Sequence, residues 1–274
     1  MTLLVESIFI GIAVGLLAGA LGIGGGILAI PVLVYLLGQD PHAATAESLV
    51  VVIVTAMAAL PSRFKHRQVR LGTGIVFGLC SAAGAFAGTA LNAFVDGDVM
   101  MYCFAALLLA VAVMMLRNGL KQRREENAAL ASGASEETLD EQADDHEQKL
   151  SWKKLPMFLL VGTFTGVMVG FFGIGGGFAM IPILVLIMGY SIRVAAGTSF
   201  IVIAVVSIIS LLMRIGTPVQ IDWMVALLFA AGSGIGSAVG SPLSNKARAS
   251  TLTFIFVALL IAVAIYTAIV TAVL

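Results

Sequence analysis

The chain has 274 residues, 60% of them hydrophobic and only 11% charged, with 15 Lys+Arg balanced by 15 Asp+Glu. An ordinary soluble domain carries about 25% charged residues, so this composition cannot cover a water-facing surface, and a soluble enzyme or binding domain is excluded. Apolar stretches of about 20 residues or more point to an all-α, polytopic helical membrane protein. The alternating segments of roughly ten residues that a β-barrel needs are missing.

In chain order the apolar segments are Leu3–Leu37, Ala43–Leu60, Leu71–Phe94, Val99–Leu116, Leu155–Met188, Ala195–Met213, Ile221–Leu243 and Thr251–Leu274. Met1 to Ser7 holds no Lys or Arg, unlike the basic start of a signal peptide, so the first segment is expected to stay as membrane structure. The first and fifth segments are too long. As continuous helices of about 35 residues they would measure about 52 Å against a hydrocarbon core of about 30 Å. Both contain the same interruption, Gly22-Ile23-Gly24-Gly25-Gly26 and Gly173-Ile174-Gly175-Gly176-Gly177, and each is followed by a proline, Pro31 or Pro182. Each long segment therefore reads as a helix, a break at membrane depth and a short second helix that either crosses or re-enters. Broken backbone is tolerated there only where protein or a polar cavity covers it.

The two glycine clusters lie 151 residues apart, and the same offset aligns Ser48 with Ser199 and Arg63 with Arg214. Shifted by one residue, Gly84 and Gly88 align with Gly236 and Gly240. The chain thus reads as two repeats, residues 1–118 and 154–274, joined by a polar linker over 119–153. That linker holds nine acids and no Lys or Arg between Glu125 and Gln148, the composition of a solvated cytoplasmic tether. If each long segment crosses twice, 14 Lys and Arg fall on the linker's side and only Arg214 on the other; if each crosses once, the ratio is 12 to 3. The positive-inside rule favours the first arrangement, which makes the repeats inverted, as in many secondary transporters. No extended basic face is left for nucleic acid.

The glycine clusters are neither a dinucleotide fingerprint nor a P-loop, because their spacing is wrong and no Gly-Lys-Ser/Thr follows. Consecutive glycines instead free backbone amides and start a helix whose positive end lies inside the membrane, where it attracts anions. Hydroxyls at Thr45, Ser48, Thr198 and Ser199 follow the clusters and either donate to an oxyanion or bond back to carbonyls of their own helix. Glu47 is an acid on an apolar helix: it either couples transport to a proton or a sodium ion or caps a helix start. Asp222 reads as the cap of the helix that it opens. Gly84/Gly88 and Gly236/Gly240 have the spacing of close helix packing. Cys80 and Cys103 read as apolar fillers, and the scattered histidines suggest no metal site.

The GIGGG breaks followed by proline, the stretch Ala195-Ala196-Gly197-Thr198-Ser199 and their duplication resemble the sulfite exporter TauE/SafE family of bacterial membrane proteins. The resemblance covers nearly the whole chain except 119–153. It implies a multi-pass transporter in the plasma (inner) membrane, carrying sulfite, a sulfonate such as sulfoacetate, or a related sulfur-containing or organic anion, without cofactor. It implies substrate binding by Gly22, Gly24, Gly25, Gly26, Gly173, Gly175, Gly176, Gly177, Gly197, Thr198 and Ser199, with Pro31 and Pro182 structural. The first repeat departs from the pattern at Ala46-Glu47, where Gly-Thr would stand. An anion channel and a non-transporting membrane scaffold are the alternatives; an enzyme is not expected, since no triad, carboxylate pair or metal cluster is present. The sequence carries no signal for an oligomeric state.

Overall fold

The computed structural model describes residues 2–22, 24–131, 155–174, 180–181, 184–185, 189–214, 219, 221–243 and 249–273. All regular structure among them is helical: α1 (Thr2–Leu21), α2 (Gly26–Pro31) running into a π-helical turn at Val32–Leu36, α3 (Pro41–Lys65), α4 (Leu71–Cys80), α5 (Ala82–Asn92), α6 (Gly97–Ala131), α7 (Leu155–Phe172), α8 (Ile192–Arg214), α9 (Trp223–Leu243) and α10 (Ala249–Val273). Among the described residues five helices are long and apolar enough to cross a membrane, in α3, α6, α8, α9 and α10. The pair α4 and α5 adds a sixth span, bent by 45°. Large apolar side chains such as Phe9, Phe86, Leu160 and Ile235 are exposed, which is the surface that a bilayer covers.

Local chemistry sets the element ends. Asp40 accepts from the backbone amides of His42 and Ala43 and Pro41 stands at the first helical position of α3, both favoured at a helix start. Asp222 does the same for α9 through the amides of Met224 and Val225, as its position predicts. The third apolar segment, read as one helix from the sequence, is divided at Ser81. There the hydroxyl donates to the Phe77 carbonyl at 2.8 Å, a back-bond of the kind that bends helices. Pro31 lacks the amide that the α-helical ladder needs, and the chain passes directly from it into the π-helical turn.

Helix directions follow from who meets whom. A Cβ added at Gly11, Gly15 or Gly19 of α1 would fall 2.5, 1.9 or 2.5 Å from the carbonyl oxygen of Phe229, Ser233 or Ser237 of α9. Residue numbers rise together, so α1 and α9 run parallel with their backbones in contact. The same contact recurs between α7 and α5: a Cβ at Gly166 would lie 2.0 Å from Ser81 O, and one at Gly84 would lie 1.9 Å from Thr163 O. These are the close glycine contacts that the sequence spacing predicts. Each repeat's first helix is therefore packed against the other repeat.

The helices α3 and α8, equivalent in the two repeats, run antiparallel. The end of α8 meets the start of α3 through Arg214 and Thr45 (Nη1 to Oγ1, 3.0 Å), while Gly197, near the start of α8, abuts Gln68 just past the end of α3. Gly119, in the second half of α6, likewise lies on Thr253, near the start of α10. The repeats are thus inverted and interlocked. Ser237 and Ser241 of α9 reach the Thr55 and Ala59 carbonyls of α3, so α3 is parallel to α9 and α1, and the chain must return between Leu21 and Pro41. Gly26–Leu36 makes that return with 11 residues, about 17 Å if helical, short of the roughly 30 Å of a full crossing.

Candidate functional site

The first glycine break begins where α1 ends. Gly22, Gly24 and Gly25 have φ of +79°, +73° and +83°, values open to glycine and strained for other residues. Gly25 is the residue before α2, and its carbonyl accepts from Leu28 and Ala29. Among the described residues no acceptor is bonded to the amides of Gly24, Gly25 and Gly26. A run of uncommitted amides at a helix start can receive negative charge.

The second break begins at Gly173 with φ +70° and touches the first: a Cβ at Gly26 would lie 2.3 Å from the Ile174 carbonyl oxygen. Gly175, Gly176, Gly177 and Pro182 lie outside the described residues. The helices α3 and α8 flank the junction, since Gly24 faces Val52 of α3 and Ile203 of α8.

Each break is held by the opposite repeat. Ser199 Oγ lies 2.8 Å from Gly22 O and 2.8 Å from Ala196 O; Ser48 Oγ lies 2.6 Å from Gly173 O and 2.8 Å from Thr45 O. Each hydroxyl shares its single proton between these two carbonyls, one in its own helix and one at the other repeat's break. Gly22 packs against Ala196, and Gly173 against Thr45. Thr45 Oγ1 donates to His42 O at 2.7 Å and accepts from Arg214.

Two buried arginines close this frame. Arg63 Nη2 donates to the carbonyls of Gly19 and Ala20 at 3.0 and 3.2 Å, and Arg214 Nη2 to that of Gly170 at 3.0 Å. These carbonyls sit in the last turns of α1 and α7, where the breaks leave helix acceptors unfilled and a cation suits the negative helix end. From the sequence, Arg63 reads as a topological charge and Arg214 as an attractant for anions at the outer mouth; both side chains in fact reach carbonyls at the ends of broken helices.

Glu47 and Thr198 are a further equivalent pair. The Asp222 amide donates to Glu47 Oε1 at 3.0 Å, and the Arg70 amide to Thr198 Oγ1 at 3.1 Å. Each side chain on α3 or α8 therefore serves the residue that precedes a helix in the other repeat. Asn92, near the end of α5, donates Nδ2 to the Phe171 carbonyl at 2.7 Å.

One feature escaped the sequence reading. Thr55 Oγ1 and Ser233 Oγ are 2.7 Å apart, both wholly buried, and Ser237 donates to the Thr55 carbonyl at 3.0 Å. A Cβ on Gly25 would lie 3.6 and 3.7 Å from the Thr55 and Ser233 hydroxyls, so these groups border the free amides. The equivalents in the other repeat are Val206 for Thr55, Ala85 for Ser237 and Ser81 for Ser233, so the serine recurs and the paired threonine does not. The available signal was Ser233, Ser237 and Ser241, one turn apart on an apolar helix. Among the described residues no group of three or more His, Cys, Asp or Glu could hold a metal ion.

The chain is similar in sequence to known membrane proteins. The sequence model of the family described as Sulfite exporter TauE/SafE matches residues 7–267. The chain is 30% identical over 248 residues to a "Probable membrane transporter protein" of Xylella fastidiosa, covering 90% of this chain and 87% of that one. It is 23% identical over 255 residues to a protein of the same description, YunE of Bacillus subtilis, covering 90% and 91%, and 28% identical over 207 residues to one of Methanocaldococcus jannaschii, covering 73% and 68%. No solved structure matches the chain.

Proposed function

The chain belongs to the sulfite exporter TauE/SafE family of membrane transporters, and from that premise we propose that it is a secondary transporter that moves a small sulfur-containing anion, sulfite or a sulfonate such as sulfoacetate, across the plasma membrane. The observation that carries the reading is the contact between the two glycine breaks, Gly26 against Ile174, between antiparallel α3 and α8. In this reading the free amides of Gly24, Gly25 and Gly26 receive the oxyanion, as helix starts inside a membrane receive anionic groups. Ser233 adds a neutral hydroxyl beside them, 2.7 Å from Thr55 Oγ1, whose own proton goes to the Val51 carbonyl at 2.6 Å. Neutral donors suit a transported ion, because they bind it without the charge that would hold it too firmly to release.

The remaining assignments follow from the frame. Ser48, Ser199, Thr45 and Gly197 hold the breaks against α3 and α8, and Gly22 and Gly173 are the points held. Gly175, Gly176 and Gly177 provide the second repeat's amides. Thr198 and Glu47 tie α8 and α3 to the opposite repeat. Glu47 also couples transport to an ion. An inverted pair of interlocked repeats suits alternating access, in which one unit rocks against the other about a central site.

The test is counterflow. Proteoliposomes loaded with unlabelled sulfite, thiosulfate, sulfoacetate or taurine are diluted into the labelled anion. Transient accumulation of at least one above equilibrium is the expected result. Downhill flux without counterflow would make the protein a channel, and no flux with any of them would reject the substrate class.

A further inference from the structure

We propose, building on the anion-transport reading above, that Glu47 is the proton-binding site of the transport cycle and that proton and anion are bound together. Glu47 has 0% exposure, and only one of its oxygens is used: Oε1 accepts from the Asp222 amide. Oε2 is buried and, among the described residues, has no hydrogen-bond partner. The equivalent position in the other repeat does the same work with a neutral hydroxyl, Thr198 accepting from Arg70. One acceptor is all that the position requires for holding the helix start. The carboxyl group brings a second oxygen that no described residue serves, in a place where an unanswered charge is costly.

The groups at this end of α3 do not supply the missing partner for Oε2. Asp222, at the head of α9, is an acid whose Oδ1 caps its own helix. Arg214, at the end of α8, donates to Thr45 Oγ1 and Gly170 O, with His42 O at 3.5 Å. On α3 itself, Asp40 caps the helix start and the His42 ring meets Asn92. Asp96 and Asp98 lie where α6 begins beside Pro41, and Glu6 lies exposed on α1. A sodium ion needs several oxygens converging on it, whereas a proton needs one. Among the described buried side chains, Glu47 Oε2 is the one carboxylate oxygen left without a hydrogen-bond partner.

The coupling has a definite sign. Glu47 lies eight residues before Thr55, the residue bordering the Gly25 amides, and so about 12 Å away along α3. Two negative charges at that separation inside protein weaken each other's binding by about tenfold. Protonating Glu47 removes the repulsion, so the proton tightens the anion and, by reciprocity, the anion tightens the proton. The two then move together.

The experiment uses purified full-length protein and thiosulfate, whose charge is constant from mildly acidic to mildly alkaline pH. Calorimetry in two buffers of different ionisation enthalpy reads proton uptake directly. In the wild type the affinity for thiosulfate, which carries two negative charges, is expected to fall about a hundredfold as pH rises, with proton uptake on binding. Glu47→Gln keeps an acceptor for the Asp222 amide. It is expected to bind thiosulfate with an affinity that does not vary with pH and without proton uptake, its folding checked by a thermal melt. Wild-type affinity independent of pH, or proton uptake that survives in Glu47→Gln, would overturn the proposal. So would a sodium requirement lost in the variant. Wild-type protein that neither binds nor exchanges any of the anions would remove the transport reading itself, whereas normal counterflow with pH-independent binding would remove only the coupling.

Discussion

Ser48 donates its hydroxyl to the carbonyl of Gly173, 2.6 Å away and 125 residues later in the chain. Its equivalent, Ser199, does the same for Gly22 at 2.8 Å. Each glycine break is thus fastened by the other repeat, so the two breaks cannot move independently of α3 and α8. Removing a buried donor leaves the carbonyl unsatisfied, at a cost of about 1–3 kcal/mol. Ser48→Ala and Ser199→Ala are expected to lower the thermal midpoint of the detergent-purified protein to a similar extent. Equal stability of either variant and the wild type would mean that the hydroxyl does not hold the break.

The glycines separate into two kinds. At Gly25 a methyl group has room, its nearest atoms being at 3.6 Å, but φ is +83°, and a side chain there costs about 1–2 kcal/mol. Gly25→Ala is therefore expected to reach the membrane folded and to lose anion affinity in calorimetry, as the break relaxes away from its geometry. At Gly15 and Gly166 a methyl group would lie 1.9 and 2.0 Å from a backbone oxygen. Gly15→Ala and Gly166→Ala are expected to fail in yield and melting before any question of affinity arises. Wild-type affinity in Gly25→Ala would move the binding site away from the first break.

Arg63 and Arg214 are buried at 1% and 3% exposure, with their guanidinium groups on carbonyls at the ends of α1 and α7. Hydrogen bonds from a charged donor contribute about 1.5–3 kcal/mol. Arg63→Gln and Arg214→Gln are each expected to destabilise by at least that amount. The loss should show in thermal melts, with Lys rescuing only in part because it lacks the planar fork. Undiminished stability in both Gln variants would show that the carbonyls find other donors.

The helix directions place Thr2 and Ala131 on opposite sides of the membrane: α1 begins at one face, and α6, which starts beside Pro41, ends at the other. With Cys80 and Cys103 replaced by alanine, single cysteines at Thr2 and Ala131 are expected to react with an impermeant thiol reagent from opposite sides, Ala131 on the cytoplasmic side by charge. Reaction from the same side would contradict the inverted arrangement.

Much of the molecule is legible in the sequence because membrane folding writes its constraints locally. Apolar length against bilayer thickness requires a helix and forces the breaks at Gly22 and Gly173, and the offset of 151 residues exposes the duplication. The spacing of Gly84 and Gly88 marks a surface where another backbone approaches, but not that the backbone is α7 of the other repeat. That choice, like Ser48 with Gly173, Thr55 with Ser233 and Glu47 with Asp222, joins residues 79 to 178 positions apart. Periodicity along one helix reports which face is buried and is silent about what buries it. A hydroxyl or carboxyl group in an apolar segment has several possible partners, and only the crossing of α3 with α8 and the parallel packing of α1 with α9 select one, because hydrogen bonds form only within about 3 Å.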